Sequence, residues 1–261
     1  MDFFNKYAEN PYPDLLWNIP EGRKLGTVAI IGGNSQNFRT MSLIYEFLAK
    51  KYPLENIKMI LPDALKAKLP AGQDFCFLKS TETGSFADKN ELLGATSKLD
   101  FALFLGDWSK NSITREAVAD TVLETPNPAV LTRDTVDAIS ESARLGEILM
   151  RENLIILGSG LQWQRILKAV YYPKILQVSQ PLMRVVEVFH KFTLSYQVTA
   201  VSFHDGQVLV ARNGQVAAVP LEKTGMSTLT LWNGELAARI MALNLYNPGK
   251  FMDATVTAVF Q

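Results

Sequence analysis

Short apolar runs that end in glycine alternate along this chain with segments of helical period. That alternation constrains the fold more than any other feature. Val28–Ile31 runs into Gly32-Gly33, Phe101–Leu105 into Gly106, and Asn153–Leu157 into Gly158-Ser-Gly160. Between them, Thr40–Tyr52 places Leu43, Ile44, Phe47 and Leu48 on one face. Ser112–Glu124 spaces Ile113, Ala117, Val118 and Val122 as a helix does. Strands apolar on both faces, separated by helices, imply a mainly parallel sheet covered on both sides.

The remaining segments fit the same plan. Asn56–Leu61, Asp74–Leu78 and Ala129–Leu131 read as strands, and Asp88–Thr96 as a helix. Pro62–Leu69 reads as a short helix with proline in its first turn. Asp134 is placed to cap the helix after Leu131. A helix runs through Trp163, Ile166, Leu167 and Val170, then a short run Ile175–Val178, then an amphipathic helix Leu182–Ser195. The pattern then changes. Val198–Phe203, Gln207–Ala211 and Gln215–Val219 are strand-like, and His204-Asp-Gly206 and Arg212-Asn-Gly214 between them are hairpin signals. An antiparallel extension at one sheet edge follows. Asn233–Leu245 reads as a helix, and Asp253–Phe260 fits a helix or a strand. Pro11, Pro13 and Pro20 make residues 1–25 an irregular lead-in, and residues 26–261 form a single domain.

Composition narrows the function. The 261 residues carry 26 basic and 26 acidic side chains, without the basic excess that nucleic-acid binding needs. No apolar run approaches the roughly 20 residues that span a bilayer. The expectation is a cytoplasmic protein with neither nucleic-acid nor membrane partners. Cys76, the single cysteine, lies between Phe75 and Phe77 and reads as a buried, inert thiol.

Several chemistries lack their residues. His190 and His204 are the only histidines and do not form a metal-ligand pair, so no metal site is expected. The P-loop pattern and the dinucleotide Gly-x-Gly-x-x-Gly pattern are missing. Gly158-Ser-Gly160 is flanked by Leu157 and Leu161 where a serine-hydrolase elbow needs glycine. What remains is the stretch Gly26-Thr-Val-Ala-Ile-Ile-Gly-Gly-Asn-Ser35, a buried strand stopping in a tight turn at the sheet edge where open α/β folds bind ligands.

The order of these turns resembles the ribokinase-like superfamily, and within it the ATP/ADP-dependent NAD(P)H-hydrate dehydratases. Gly26–Ser35 is similar to the first strand and its Gly-Gly-Ser turn. Phe101–Gly106 is similar to the strand before a Gly-Pro-Gly-Leu-Gly loop, here Gly106-Asp-Trp-Ser-Lys-Asn111. Pro128–Asp134 resembles Pro-Val-Val-Leu-Asp-Ala-Asp, with Thr132-Arg133 in place of Asp-Ala. Ile156–Ile166 resembles the Thr-Pro-His-Pro-Gly-Glu segment, with Gln162 at the glutamate and Arg165 kept. Phe203 falls where the family has lysine, and Gly225-Met-Ser-Thr228 resembles Gly-Met-Ala-Thr. Beyond it Leu229, Leu231 and Trp232 replace a glycine run, and Glu235 stands nearest the family's aspartate.

The resemblance implies a three-layer α/β/α sandwich with a mainly parallel central sheet and an antiparallel edge extension. It also implies a lyase that couples hydrolysis of ATP or ADP, with Mg2+, to dehydration of NAD(P)H hydrate, and self-association into a homo-oligomer. The site residues it implies are Glu235 as base with Asn233, and Gly32, Gly33, Asn34, Ser35, Gly106, Asp134, Gln162 and Gly234 around nucleotide and substrate. Local chemistry offers a plainer account of several. Asn233 and Asp134 suit helix caps, Glu235 suits a first helical turn, and Gln162 suits a helix surface. Lys110 and Arg115 suit either phosphate contact or solvated surface. The departures at Gln162, Phe203, the glycine run and Thr132-Arg133 favour an alternative, a catalytically degenerate protein that binds a ligand or a partner; a small-molecule kinase is a further alternative.

Overall fold

The computed structural model describes residues 2–69, 74–174, 176–177, 179–227, 230 and 232–261. Ten strands form one sheet: β1 (Phe4–Lys6), β2 (Thr27–Gly32), β3 (Asn56–Pro62), β4 (Phe75–Leu78), β5 (Phe101–Gly106), β6 (Ala129–Thr132), β7 (Leu154–Gly158), β8 (Thr199–His204), β9 (Gln207–Arg212) and β10 (Gln215–Pro220). Their order across the sheet is β1-β10-β9-β8-β7-β6-β5-β2-β3-β4. From β8 to β4 every pairing is parallel, while β9 runs antiparallel to both β8 and β10.

Helices cover both faces, and side-chain alternation along the strands divides the core in two. Val28 and Ile30 of β2 and Phe101, Leu103 and Leu105 of β5 face α1 (Arg39–Lys51), α8 (Glu235–Tyr246) and α9 (Phe251–Val259). Ala29, Ile31, Ala102 and Phe104 belong to the other core. That core is built with α2 (Lys89–Thr96), α3 (Ser112–Glu124), α4 (Asp134–Ser140), α5 (Leu145–Ile148), α6 (Gly160–Ala169) and α7 (Leu182–Ser195). Trp163 of α6 is fully buried, edge-on to Phe189 and Phe192 of α7. Its indole donates to the Val201 carbonyl at 2.9 Å, so the large apolar ring also satisfies its polar atom.

The expected plan is observed, with local corrections. Asp205-Gly206 and Asn213-Gly214 all have positive φ, the pairing that suits tight hairpins to strand twist. The last segment is a helix, α9. Pro62–Leu69 is reduced to a single 3-10 turn, Asp63–Leu65, after a strand that extends through Pro62. The lead-in is not wholly irregular: Phe4–Lys6 pairs with Val216–Ala218 as an edge strand, and Pro13–Asn18 forms a 3-10 turn. Cys76 is half-buried rather than buried, because β4 is the other edge strand. The run Ile175–Val178 falls partly outside the described residues, as do Leu229 and Leu231.

Candidate functional site

The carboxyl ends of β2, β5, β6 and β7 lie side by side, and each ends in a turn that the sequence marks. At β2, a Cβ on Gly32 would sit 2.5 Å from the Gly106 carbonyl oxygen and 2.8 Å from Met41 Sδ. Gly33, with φ of 86°, donates to that same oxygen at 2.8 Å. Gly32 is therefore required by the close packing of two strand ends and Gly33 by its left-handed φ, whatever else the turn does. Asn34 Oδ1 accepts from the backbone of Gln36 and Asn37 at 2.8 and 3.1 Å, and its amide donates to the Asp107 carbonyl. Ser35 is bonded through its N–H to Gly84 and through its carbonyl to Lys68.

Two consecutive left-handed residues end β5 and begin its turn: Gly106 with φ of 101° and Asp107 with φ of 61°. A Cβ at Gly106 would lie 3.0 Å from the Asp134 nitrogen, so glycine lets the β5 and β6 turns meet. Asp107 turns its carboxylate inward, where it is almost wholly buried. Its Oδ1 pairs with Arg133 Nη2 at 2.5 Å, and its Oδ2 has no hydrogen-bond partner. Burial pushes the Asp107 carboxyl above its ordinary range, against the opposing pull of the Arg133 cation and the Thr40 hydroxyl.

Arg133, after β6, also has a left-handed φ, 54°. Its guanidinium joins three walls: Asp107 after β5, Thr40 Oγ1 in α1 at 3.2 Å, and the Trp232 carbonyl at 3.4 Å. Arg133 takes the cap position of α4, which corrects the expectation for Asp134. Asp134 is instead the first helical residue, exposed, with no capping hydrogen bond from either side chain.

Gln162 is corrected more strongly. It is buried, not on the surface. Ser159 and Gln162 form a reciprocal capping box at the start of α6, and the Gln162 amide donates to the Arg133 carbonyl at 2.8 Å and to Asp137 Oδ2 at 3.0 Å. Asp137 Oδ1 in turn takes Arg165 at 2.7 Å. A neutral amide fits this place because it donates to two oxygens while its own oxygen accepts, which a carboxylate cannot do. Lys110 is exposed, and Arg115 pairs with Glu141.

At the start of α8, Gly234 is the cap, with φ of 90° and a hypothetical Cβ only 2.5 Å from Leu105 Cδ1. Asn233 precedes the cap, and its Oδ1 accepts from the Glu235 N–H at 2.9 Å. The Glu235 carboxylate pairs with Arg239 one turn along the same helix, beneath the ring of Phe47 in α1.

The structure thus brings together Gly32, Gly33, Asn34, Ser35, Gly106, Asp134 and Gln162, and gives Glu235 a partner of its own. Beside them lie two adjoining hollows that share Ser159, Leu161 and Trp232. One, of about 380 Å³, is polar and bounded by Arg133, Asp134, Asp137, Gln162 and Arg165. The other, of about 220 Å³, is faced by Leu176, Val185, Phe203 and His204. His204 is anchored through Nε2 to the Gln180 carbonyl. Asp107, Arg133 and Trp232 were not among the expected site residues. The signals for two of them were in the sequence: an acid directly after the β5 glycine, and an arginine where the resembled pattern has alanine.

No protein-family model matches the sequence, and no curated protein does. Solved structures do. A ribokinase-like superfamily protein from Enterococcus faecalis superposes with a TM-score of 0.67 at 14% identity, over 100% of this chain and 86% of its own. The fold is ribokinase-like. An ADP/ATP-dependent NAD(P)H-hydrate dehydratase from Bacillus subtilis shares the ribokinase-like fold with a TM-score of 0.61 at 14% identity, over 94% of this chain and 83% of its own. Trypanosoma brucei brucei adenosine kinase follows with a TM-score of 0.52 at 12% identity, covering 98% and 93%. The neighbours span a dehydratase and small-molecule kinases, so the shared property is the ribokinase-like architecture.

Proposed function

We propose that this chain binds a nucleotide-type small molecule, a planar ring bearing an anionic tail, at the carboxyl edge of its sheet, and that it no longer carries out dehydration. The observation that carries this reading is the pairing of Glu235 with Arg239. The carboxylate nearest the family's aspartate is engaged by a cation on its own helix. A general base must stand within hydrogen-bond reach of the proton it removes.

The two hollows support the binding half. Phe203 and Trp232 offer flat apolar surface to a ring, while Arg133 and Arg165 offer cations to phosphate oxygens. The Bacillus subtilis dehydratase was co-crystallised with ATP and Mg2+. In this chain, among the described residues, no three His, Cys, Asp or Glu side chains converge to hold a metal without oxygens from a ligand. Thermal shift and calorimetry with ATP, ADP and adenosine test it. Each ligand that binds the native state raises its melting temperature, and Trp232→Ala weakens all three. Absence of binding by all three overturns the reading.

A second reading retains the lyase activity. One observation favours it: the likeness to the dehydratase fold extends over 94% of this chain. ATP-dependent recovery of NADPH from its hydrate, lost in Glu235→Gln, establishes that reading over the first.

A further inference from the structure

We infer that Arg133 is the anion-recognising residue of this site and that the Asp107 carboxylate occupies its place for a ligand's phosphate, so that an anionic group binds by displacing an internal counter-ion. The inference rests on the proposed binding site and assigns the group that discriminates its ligands.

The geometry is specific. Arg133 lines the open polar hollow, yet one edge of its guanidinium turns inward to Asp107 Oδ1 at 2.5 Å. A planar guanidinium pairs a phosphate and a carboxylate through the same two-pronged fork. Asp107 uses only part of that capacity: one carboxylate oxygen is bonded to Arg133, while the other is buried without a partner. A buried acceptor left unsatisfied is destabilising, so the charged form of Asp107 is held at a cost that its protonation relieves. Both residues sit at left-handed φ, which aims them at each other from adjacent turns. The other contacts of Arg133, to Thr40 and the Trp232 carbonyl, keep the guanidinium at the mouth of the hollow. Asp134, the remaining carboxylate at this corner, is exposed and raises the Asp107 carboxyl further.

The ligand class follows from this competition. A monoanion with one accessible oxygen gains little over the resident carboxylate. A di- or triphosphate chain brings several oxygens and more charge, and Arg165 lies in the same hollow to meet it. Protonation of Asp107 releases Arg133 and favours anion binding. The charged groups that face the pair are Asp134 beside it, and Asp137 and Arg165 across the hollow.

Calorimetry on the full chain with inorganic tripolyphosphate and, separately, adenosine tests the inference. Asp107→Asn is expected to tighten tripolyphosphate by about tenfold, and Arg133→Met to weaken it by a similar factor. Sulfate keeps its charge between pH 5 and 8, so it serves as a second probe on the unmutated chain. Its affinity is expected to rise as pH falls, and that rise to vanish in Arg133→Met. Tripolyphosphate affinity unaffected by Arg133→Met, or sulfate affinity independent of pH, overturns the inference. Failure of adenosine to bind counts against the ring-binding reading alone, because the tripolyphosphate and sulfate measurements stand without it.

Discussion

The Asn34 side-chain amide donates to the Asp107 carbonyl oxygen at 2.5 Å, stitching the turn after β2 to the turn after β5. The same side chain accepts two backbone N–H groups in its own turn. Asn34→Ala takes this partner from the Gln36 N–H and the Asp107 carbonyl, while the Asn37 N–H keeps its bond to the Asn34 carbonyl, and it is expected to destabilise the chain by about 1–3 kcal/mol, read by urea denaturation.

Asp107 carries a pH dependence whose sign follows from its burial. Its folded carboxyl lies above the ordinary range. Between the two values the folded chain holds a proton that the unfolded chain has released, so this group's contribution to stability falls as pH rises. The stability of the wild type relative to Asp107→Asn is therefore expected to be greater at pH 5 than at pH 7. Denaturation curves for both proteins at the two pH values check it, and an unchanged difference contradicts the assignment.

Gly106 sits at φ of 101°, and the nearest atom to an added Cβ is backbone, the Asp134 nitrogen at 3.0 Å. A side chain there meets strain in φ and a neighbour that cannot rotate away. Gly106→Ala is expected to lower stability by about 1–3 kcal/mol and to loosen the corner between β5 and α4. Hydrogen exchange at the Asp134 and Thr135 amides would rise with it.

Glu235→Gln leaves Arg239, which is only 11% exposed in its side chain, without its carboxylate. An expected loss of about 2–3 kcal/mol in unfolding free energy follows from the uncompensated cation. Adenosine affinity is expected to stay the same, measured by calorimetry, because the pair faces Phe47 of α1 rather than Trp232.

The sheet was legible wherever burial on both faces forced an unbroken apolar run. β2 and β5 were read within a residue or two of their ends, and β7 was displaced by one residue. Helices α3 and α7 were read at their observed bounds, because the spacing of their apolar residues marked them. β1 was missed because three residues carry too little alternation to register, and its partner lies at the far end of the chain. The site was harder. Gln162 looks like a surface residue by type, although Ser159 three residues earlier is the capping-box signature that ties it down. Arg133 and Asp107 are ordinary surface letters until two left-handed turns aim them at each other, and neither conformation is written in residue type.

The pairing of Phe4 with Val216 bears on how the molecule is made. During synthesis β1 has no sheet neighbour until β10, the last strand of the sheet in chain order, has emerged. Until then Phe3 and Phe4 stay in solvent, where short aromatic segments invite association between nascent chains. That edge of the sheet thus closes late, and changes within Phe4–Lys6 act on assembly order rather than on the site.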